Sequence, residues 1–360
     1  MMRKHVDVAV AGLGLAGSSA ALAAARRGHA VAAFEAFEPG HRRGSSHGHS
    51  RIFRRAYSDP LYVELTGRAG ELWERLEADA GCTLLSRVGG VNHSGGGGES
   101  ERMTALLQEH GVAAELLDPA DAARRWPGVR FARPVMHDPE GGVIDPEAAM
   151  AAMVRLAVAA GASVTYETPV RDLEPDEDGI RFSAADQSWH ANTLVLATGG
   201  WTGPLLGGLV PLPPLTVTQQ SIFFFAPREP GPWPTVAHSQ PQDSLEFYGL
   251  PEGPVFKVGE HIGGTVTTVG SRDFSIAADV REQVLAYVGE WLPGLDPHPR
   301  SQTTCLYTRT PDEDFILDRR GAIVVCSPCS GHGAKFAPLV GELAADLVEG
   351  GDPIPRFTLP

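Results

Sequence analysis

Gly12-Leu-Gly14-Leu-Ala-Gly17 follows the apolar run Val6–Ala11 and precedes an alanine-rich stretch. In a G-x-G-x-x-G loop the first glycine permits a tight turn. The second lets the backbone approach a pyrophosphate, and the third lets the following helix pack on the strand. The helix N-terminus adds unpaired N–H groups and the positive end of its dipole. Glu35, 18 residues beyond Gly17, ends a second apolar run where a carboxylate can accept from ribose hydroxyls. The chemistry is binding of the ADP half of a dinucleotide. Nicotinamide and flavin cofactors both carry that half, so the loop does not choose between them.

Other reactive side chains lie further along. Lys4, Lys257 and Lys335 are the only lysines, so a lysine inside a motif is informative. Lys257 sits between Phe256 and Val258, and Lys335 ends Gly331-His-Gly333-Ala-Lys335. Arg51, Arg54 and Arg55 read equally as a solvated basic patch or an anion site. Tyr248 and His261 flank Lys257 and, taken alone, suit a core. Cys305 lies in a β-like Thr-Cys-Leu-Tyr segment, where a buried cysteine is usually inert. Cys326-Ser-Pro-Cys329 is the only C-x-x-C and ends an apolar run, which favours inert thiols over a redox pair or half a zinc site. Together with Cys82 these cysteines do not form a disulfide framework, so a reducing compartment is expected.

The elements that position these residues follow from periodicity. Residues 6–11, 18–27 and 30–35 read as strand, helix and strand. From Leu61 to Ala80 the apolar residues Leu65, Ala69, Leu72, Trp73 and Leu76 share a helical face after the start signal Ser58-Asp-Pro60. Ser94–Ser100 reads as a glycine-rich tip between strands, followed by an amphipathic helix, Glu101–His110. Val143–Pro146 leads into a helix ending at Gly161, and a strand resumes over 163–166. Residues 192–198 form a buried strand running into Gly199-Gly200, and residues 321–326 form another, followed by Gly331, Gly333 and a helix over 338–348. Nucleotide-fold segments thus occur at the start, middle and end of an α/β chain. The expected organisation is a discontinuous cofactor domain (1–85, 143–212 and 300–360) with a second domain (86–142 and 213–299). Late returns of the chain to the cofactor suit an extended FAD better than NAD. Between them lie aromatic and proline-rich stretches, with Pro227–Ser244 expected as a loop.

The formal net charge of −14 argues against a nucleic-acid partner. Glycine (42) and proline (29) are abundant but fall short of low complexity, so a globular fold with many turns is expected. The basic start Met1–His5 superficially suggests a secretory signal, but Asp7 interrupts the apolar stretch. No 18-residue uncharged apolar window exists, so no membrane span is expected and a cytoplasmic location follows.

The chain resembles the monomeric sarcosine oxidase and N-methyltryptophan oxidase group of the D-amino-acid-oxidase-like flavoproteins over nearly its whole length. The resemblance rests on Gly12–Gly17, His47-Gly-His-Ser-Arg51-Ile-Phe-Arg54-Arg-Ala-Tyr57, Arg125-Trp-Pro-Gly128 and Tyr248-Gly-Leu-Pro251. It continues in Lys257-Val-Gly-Glu-His261, Thr304-Cys305-Leu-Tyr307-Thr308 and Ser330-Gly-His-Gly-Ala-Lys335-Phe336. It implies a Rossmann-like FAD-binding domain with an inserted antiparallel-sheet substrate domain. By the same resemblance FAD lies along Gly12, Gly14, Gly17, Glu35, His47, Arg51, Thr198, Gly199, Gly331, Gly333 and Lys335, with Cys305 forming a thioether to the flavin. Arg54 and Lys335 would hold the substrate carboxylate. Tyr248 and His261 would frame the substrate, and Lys257 would assist O₂ reduction. Ala334 stands where the family often has a larger residue, which leaves room for a bulkier substituent.

The implied reaction is oxidation of an N-substituted amino acid in a monomeric enzyme. Hydride leaves the α-carbon, the imine hydrolyses, and O₂ becomes H₂O₂. Open alternatives are a cyclic imino acid or other amino acid from a biosynthetic pathway, a dehydrogenase using another acceptor, and a non-catalytic flavin- or NAD-binding module.

Overall fold

A computed structural model describes residues 4–94, 96–240 and 245–360. The second half of strand Lys4–Ala11, Val8–Ala11, is apolar and buried on both faces, as a strand must be where both sides of its sheet are covered. It pairs in parallel with Val31–Phe34 on one side and Gln187–Leu196 on the other. Ser163–Thr165 extends the parallel set beyond Val31–Phe34, and Ile323–Ser327 extends it beyond Gln187–Leu196. On one face, Val8 and Val10 pack in a core with residues from helices Leu15–Arg26, Pro146–Ala159 and Ala337–Val348. On the other, Ala9 and Ala11 join Phe34, Phe182, Trp189 and Leu206.

Helix Pro60–Ala80 starts where the sequence signals it, with the Asp59 carboxylate accepting from the Leu61 amide at 2.9 Å and Gly81 closing the far end. Its buried face carries Leu65, Ala69, Trp73 and Leu76, while Leu72 is half-buried. Trp73 Nε1 donates to the carbonyl of Lys335 at 2.8 Å, so this helix also pins the lysine-bearing turn Gly333–Phe336.

A nine-stranded, mostly antiparallel sheet is built around Thr216–Phe225, which pairs with Val255–Glu260, Thr265–Thr267 and Ser301–Arg309. Leu245–Glu252, Thr235–Gln240 and Gly90–His93 continue it outward. Side chains alternate between its faces. Phe223, Phe225, Phe247, Phe256 and Val258 pack with Val284, Tyr287 and Val288 of helix Ala278–Trp291. The opposite face carries Tyr248, Lys257 and Cys305.

Three expectations need correction. Pro227–Ser244 is not all loop: Thr235–Gln240 is a strand paired on both sides, because Trp233 packs on Phe256 and Pro234 stops before the ladder begins. Residues 241–244 of that segment lie outside the described residues. The tip near Ser94 joins a strand to helix Glu99–Glu109 rather than two strands, with Gly98 at φ 72° before the helix, and its Gly95 also lies outside the described residues. Ser301–Arg309, grouped by sequence with the nucleotide-binding part, pairs along its whole length with Thr216–Phe225 in the second sheet.

Candidate active site

The parallel strands of the first sheet all end on one side, the usual place for a ligand in such a sheet. There Gly12–Gly17 follows Lys4–Ala11, Glu35 follows Val31–Phe34, Thr198 and Gly199 follow Gln187–Leu196, and Gly331 and Gly333 follow Ile323–Ser327. All but Gly17 line one cavity of about 860 Å³. Gly17 faces inward: a Cβ there would lie 1.8 Å from the Gly12 carbonyl oxygen, so only glycine lets helix Leu15–Arg26 sit this close. Glu35 accepts from the amides of Leu13 at 2.8 Å and Phe37 at 3.2 Å. Burial opposes ionisation of Glu35, but His41 and these amides outweigh it and hold the carboxyl below its ordinary pKa.

The same cavity continues to the cations singled out in sequence. The Arg54 guanidinium carbon lies 5.3 Å from the centroid of the Tyr57 ring, and Lys335 Nζ lies 5.4 Å from it. Lys335 is buried and donates to the Tyr57 hydroxyl at 3.0 Å and to the His332 carbonyl at 2.7 Å. With Lys335 donating, the Tyr57 proton goes to His332 Nδ1 at 2.9 Å, and His332 Nε2–H donates to the Glu313 carbonyl at 3.0 Å. Burial, then the Lys335 charge, lowers the His332 pKa to about 3, in agreement with that neutral tautomer. Burial and Arg54 hold the Lys335 pKa well below that of a free lysine. Two cations thus converge on one aromatic ring, and among the described residues neither Arg54 nor Lys335 is in ion-pair contact with a carboxylate. Arg55 does not join them: it pairs with Glu140 at 3.0 Å and is not part of a solvated patch.

The antiparallel sheet closes the opposite wall. Tyr248 lies across Gly259, where a Cβ would stand 2.6 Å from the phenol oxygen. Lys257 is buried and donates to the Ser50 carbonyl at 2.9 Å and its hydroxyl at 3.4 Å, and Ser50 Oγ donates to Glu252. Burial, reinforced by Arg51, lowers the Lys257 pKa to about 7 against the pull of Glu252 and Cys305. His261 packs edge-on to Tyr307, ring centroids 5.7 Å apart, and burial followed by Arg54 lowers its pKa to about 3. Burial raises Tyr248 and Tyr307 well above an ordinary phenol. The framing aromatics and imidazoles are therefore uncharged at neutral pH.

His47 is buried beside the cavity, its pKa lowered to about 3 by burial and then by Arg51. Arg51 binds the carbonyls of Ser45 at 2.7 Å, His47 at 2.8 Å and Ser50 at 2.7 Å, so its first task is to fold this loop around the cavity. Cys305 is buried and lines the cavity, and Lys257 and Arg272 both lie close enough to respond to charge on its sulfur. Cys326 and Cys329 also line it, but burial raises both thiols. Among the described residues no cluster of side chains has metal-ligand geometry. Sequence reading assigned no role to Tyr57, Tyr307, His332, Ser50, Asn92 or Glu246. The first three and Ser50 stand inside motifs already recognised, but Ser50, 207 residues from Lys257, gives no signal of that contact.

A doubly covered parallel sheet whose strand ends open on one long cavity, walled by an antiparallel sheet that brings cations and neutral aromatics, defines a flavin-dependent oxidoreductase. The chain belongs to the FAD dependent oxidoreductase (DAO) family, which matches residues 7–347. Monomeric sarcosine oxidase of Streptomyces avermitilis is 34% identical over 96% of this chain and 94% of that protein. N-methyl-L-tryptophan oxidase of Yersinia pestis is 29% identical over 94% of each. The solved structure of NikD, an unusual amino acid oxidase essential for nikkomycin biosynthesis, superposes with a TM-score of 0.88 at 27% identity, covering 99% of this chain and 98% of that one. The lining fits FAD. Gly12 and Gly14 present no side chain to an approaching pyrophosphate, and the Glu35 carboxylate lining the cavity would accept from ribose hydroxyls. Two buried cavity atoms, His47 Nε2 and Thr308 Oγ1, have no partner among the described residues.

Proposed function

We propose that this protein is an FAD-dependent oxidase of N-substituted amino acids, with N-alkylglycines as the leading substrate class. The observation that carries the reading is the pair Arg54 and Lys335 on the Tyr57 ring, without a carboxylate partner among the described residues and open to an FAD-sized cavity. The relatives named for sarcosine and N-methyl-L-tryptophan oxidation support it.

Arg54 grips the substrate carboxylate with its planar fork, and the Lys335 ammonium, held by Tyr57 and His332, donates to the same group. This orients the α-carbon. His261, Tyr248 and Tyr307 frame the amine, and because the imidazole is neutral and the phenols weakly acidic they leave its nitrogen lone pair free. FAD, when bound, supplies the acceptor for the α-hydride and passes the electrons to O₂, giving H₂O₂. Water hydrolyses the resulting imine to an amine and a 2-oxo acid. Lys257, fixed to Ser50, places a positive charge where oxygen is reduced. The proposal also includes a thioether from Cys305 to the flavin, cofactor contacts by Thr198, Gly199, Gly331 and Gly333, and a monomer working in the cytoplasm. Among the described residues no helix is long and apolar enough to cross a membrane. It retains a discontinuous FAD-binding part and an inserted substrate part, with Ser301–Arg309 counted in the latter.

The test is H₂O₂ release from sarcosine, other N-alkylglycines, proline and pipecolate. Peroxide from the N-alkylglycines is expected, and its absence with every secondary amine overturns the reading.

A further inference from the structure

The cavity also runs across the face of interior strands of the second sheet, Leu245–Glu252, Thr235–Gln240 and Gly90–His93. Ser239 pairs directly with Glu246, and Ala237 with Tyr248. Ala237 also pairs with Asn92 on the next strand. Directly paired residues project to the same face, so Asn92, Ser239 and Glu246 project with Tyr248, and all four line the cavity. His238, between them, turns the other way and stacks on His93 with ring centroids 4.4 Å apart. Glu246 is two residues from Tyr248, about 7 Å along the strand.

Glu246 is half-buried, and among the described residues its carboxylate has no hydrogen bond or salt bridge. Its carbonyl is engaged, accepting from the His261 amide at 2.7 Å, which fixes its strand to the wall that carries His261. Burial raises the Glu246 pKa, with Arg54 acting against it and Glu313 and Glu99 adding to it. A carboxylate partly withdrawn from water without a paired cation is an unfavourable arrangement that a cationic donor would relieve. The neighbouring amide of Asn92 and hydroxyl of Ser239 are likewise without side-chain partners among the described residues, so this stretch of the cavity wall is polar where an oxidase for short or apolar substituents would need none.

We infer that Glu246, flanked by Asn92 and Ser239, forms a second recognition point that selects substrates carrying a cationic hydrogen-bond donor, such as a primary ammonium, on a short tail. The inference rests on the oxidase reading and names the substrate class of that same site. The carboxylate binds at Arg54 and Lys335, and the tail runs along the strand direction from Tyr248 to Glu246. A tail of three to five bonds covers that separation, whether it is attached to the nitrogen or to the α-carbon.

Peroxide formation separates these cases. N-(3-aminopropyl)glycine is compared with its near-isostere N-butylglycine for the nitrogen-borne tail, and N-methyl-lysine with N-methyl-norleucine for the carbon-borne one, with sarcosine as the reference. In at least one pair the amine-tailed member should have a kcat/KM about 10-fold or more above its apolar partner, the size expected for a charge-assisted hydrogen bond. In Glu246→Gln that ratio should fall to near one. In Glu246→Lys it should reverse in favour of a carboxylate-tailed analogue, N-(2-carboxyethyl)glycine. Binding of 5-aminopentanoate and hexanoate, carboxylates without an oxidisable α-amine, followed by calorimetry on the holoenzyme, should show the same preference in the native protein and its loss in Glu246→Gln. Peroxide from sarcosine with no amine-tail preference in either pair overturns the inference and leaves the oxidase reading intact. A preference that survives in Glu246→Gln also overturns it. No peroxide from any of the five substrates defeats the oxidase reading itself.

Discussion

Replacing Lys257 with methionine should stabilise the folded protein at pH 6 while impairing its reaction with oxygen. The Lys257 ammonium is buried, and its pKa is lowered from 10.5 to about 7. Lowering it that far corresponds to about 5 kcal/mol of opposition to keeping the charge in the folded interior. Methionine removes that cost but leaves the Ser50 carbonyl without its donor, a loss of about 1–3 kcal/mol. The net gain at pH 6 is then about 2–4 kcal/mol. The pH dependence is more specific. Below pH 7 both folded and unfolded chains carry the Lys257 proton, and above about 10.5 neither does. Between those values the unfolded chain binds one proton more, so native stability rises by about 1.4 kcal/mol per pH unit from this residue. Urea unfolding of both holoproteins at pH 7.5 and 9.5 should show about 3 kcal/mol of this increase in the native protein and none of it in Lys257→Met. Equal pH slopes in the two proteins would refute the burial argument. The rate of oxygen consumption should also decline in the native enzyme as pH rises through about 7, and should be low and flat in the variant.

Cys305→Ser should release the yellow chromophore into the supernatant after acid precipitation, whereas the native protein should carry it into the pellet; retention in Cys305→Ser, or its loss in Cys326→Ser instead, would reassign the tether. Arg54→Gln should reduce kcat/KM for sarcosine by about 100-fold or more, chiefly through KM, because it leaves Lys335 alone with the carboxylate. Tyr57→Phe removes the oxygen that accepts from Lys335 and donates to His332, and should raise KM by about 5- to 10-fold with kcat less affected; unchanged steady-state constants would show that Lys335 needs no such support. Gly17→Ala must push the Gly12 carbonyl away, so it should lower flavin content and the urea midpoint together, read by the visible-to-ultraviolet absorbance ratio and by unfolding.

Local regularities carried most of the sequence reading. Asp59 and Gly81 mark the ends of helix Pro60–Ala80 by capping chemistry, and Gly12 and Gly17 mark a turn whose backbone leaves room for glycine alone at those two positions. What stayed hidden depends on distant pairing. Thr235–Gln240 is a strand inside a proline-rich stretch because Gly90–His93 and Leu245–Glu252 lie on either side of it. Ser301–Arg309 takes its place from a ladder with Thr216–Phe225, nothing of which is encoded in its own alternation. The site shows the same division. Arg54, Lys257, Lys335 and Cys305 stand in motifs with recognisable spacing. Tyr57 becomes the support for both cations only when a residue 278 positions away folds over it, and Glu246 turns into the cavity only through its register with Ser239.

The most direct measurement is anaerobic mixing of the purified yellow protein with sarcosine, followed by admission of oxygen. The flavin absorbance should bleach and then return with one H₂O₂ formed per substrate consumed, while dimethylamine, which lacks the carboxylate, should bleach it far more slowly. Absence of bleaching with every carboxylate-bearing secondary amine, or equal bleaching by dimethylamine, would contradict an oxidase that recognises its substrate through Arg54 and Lys335.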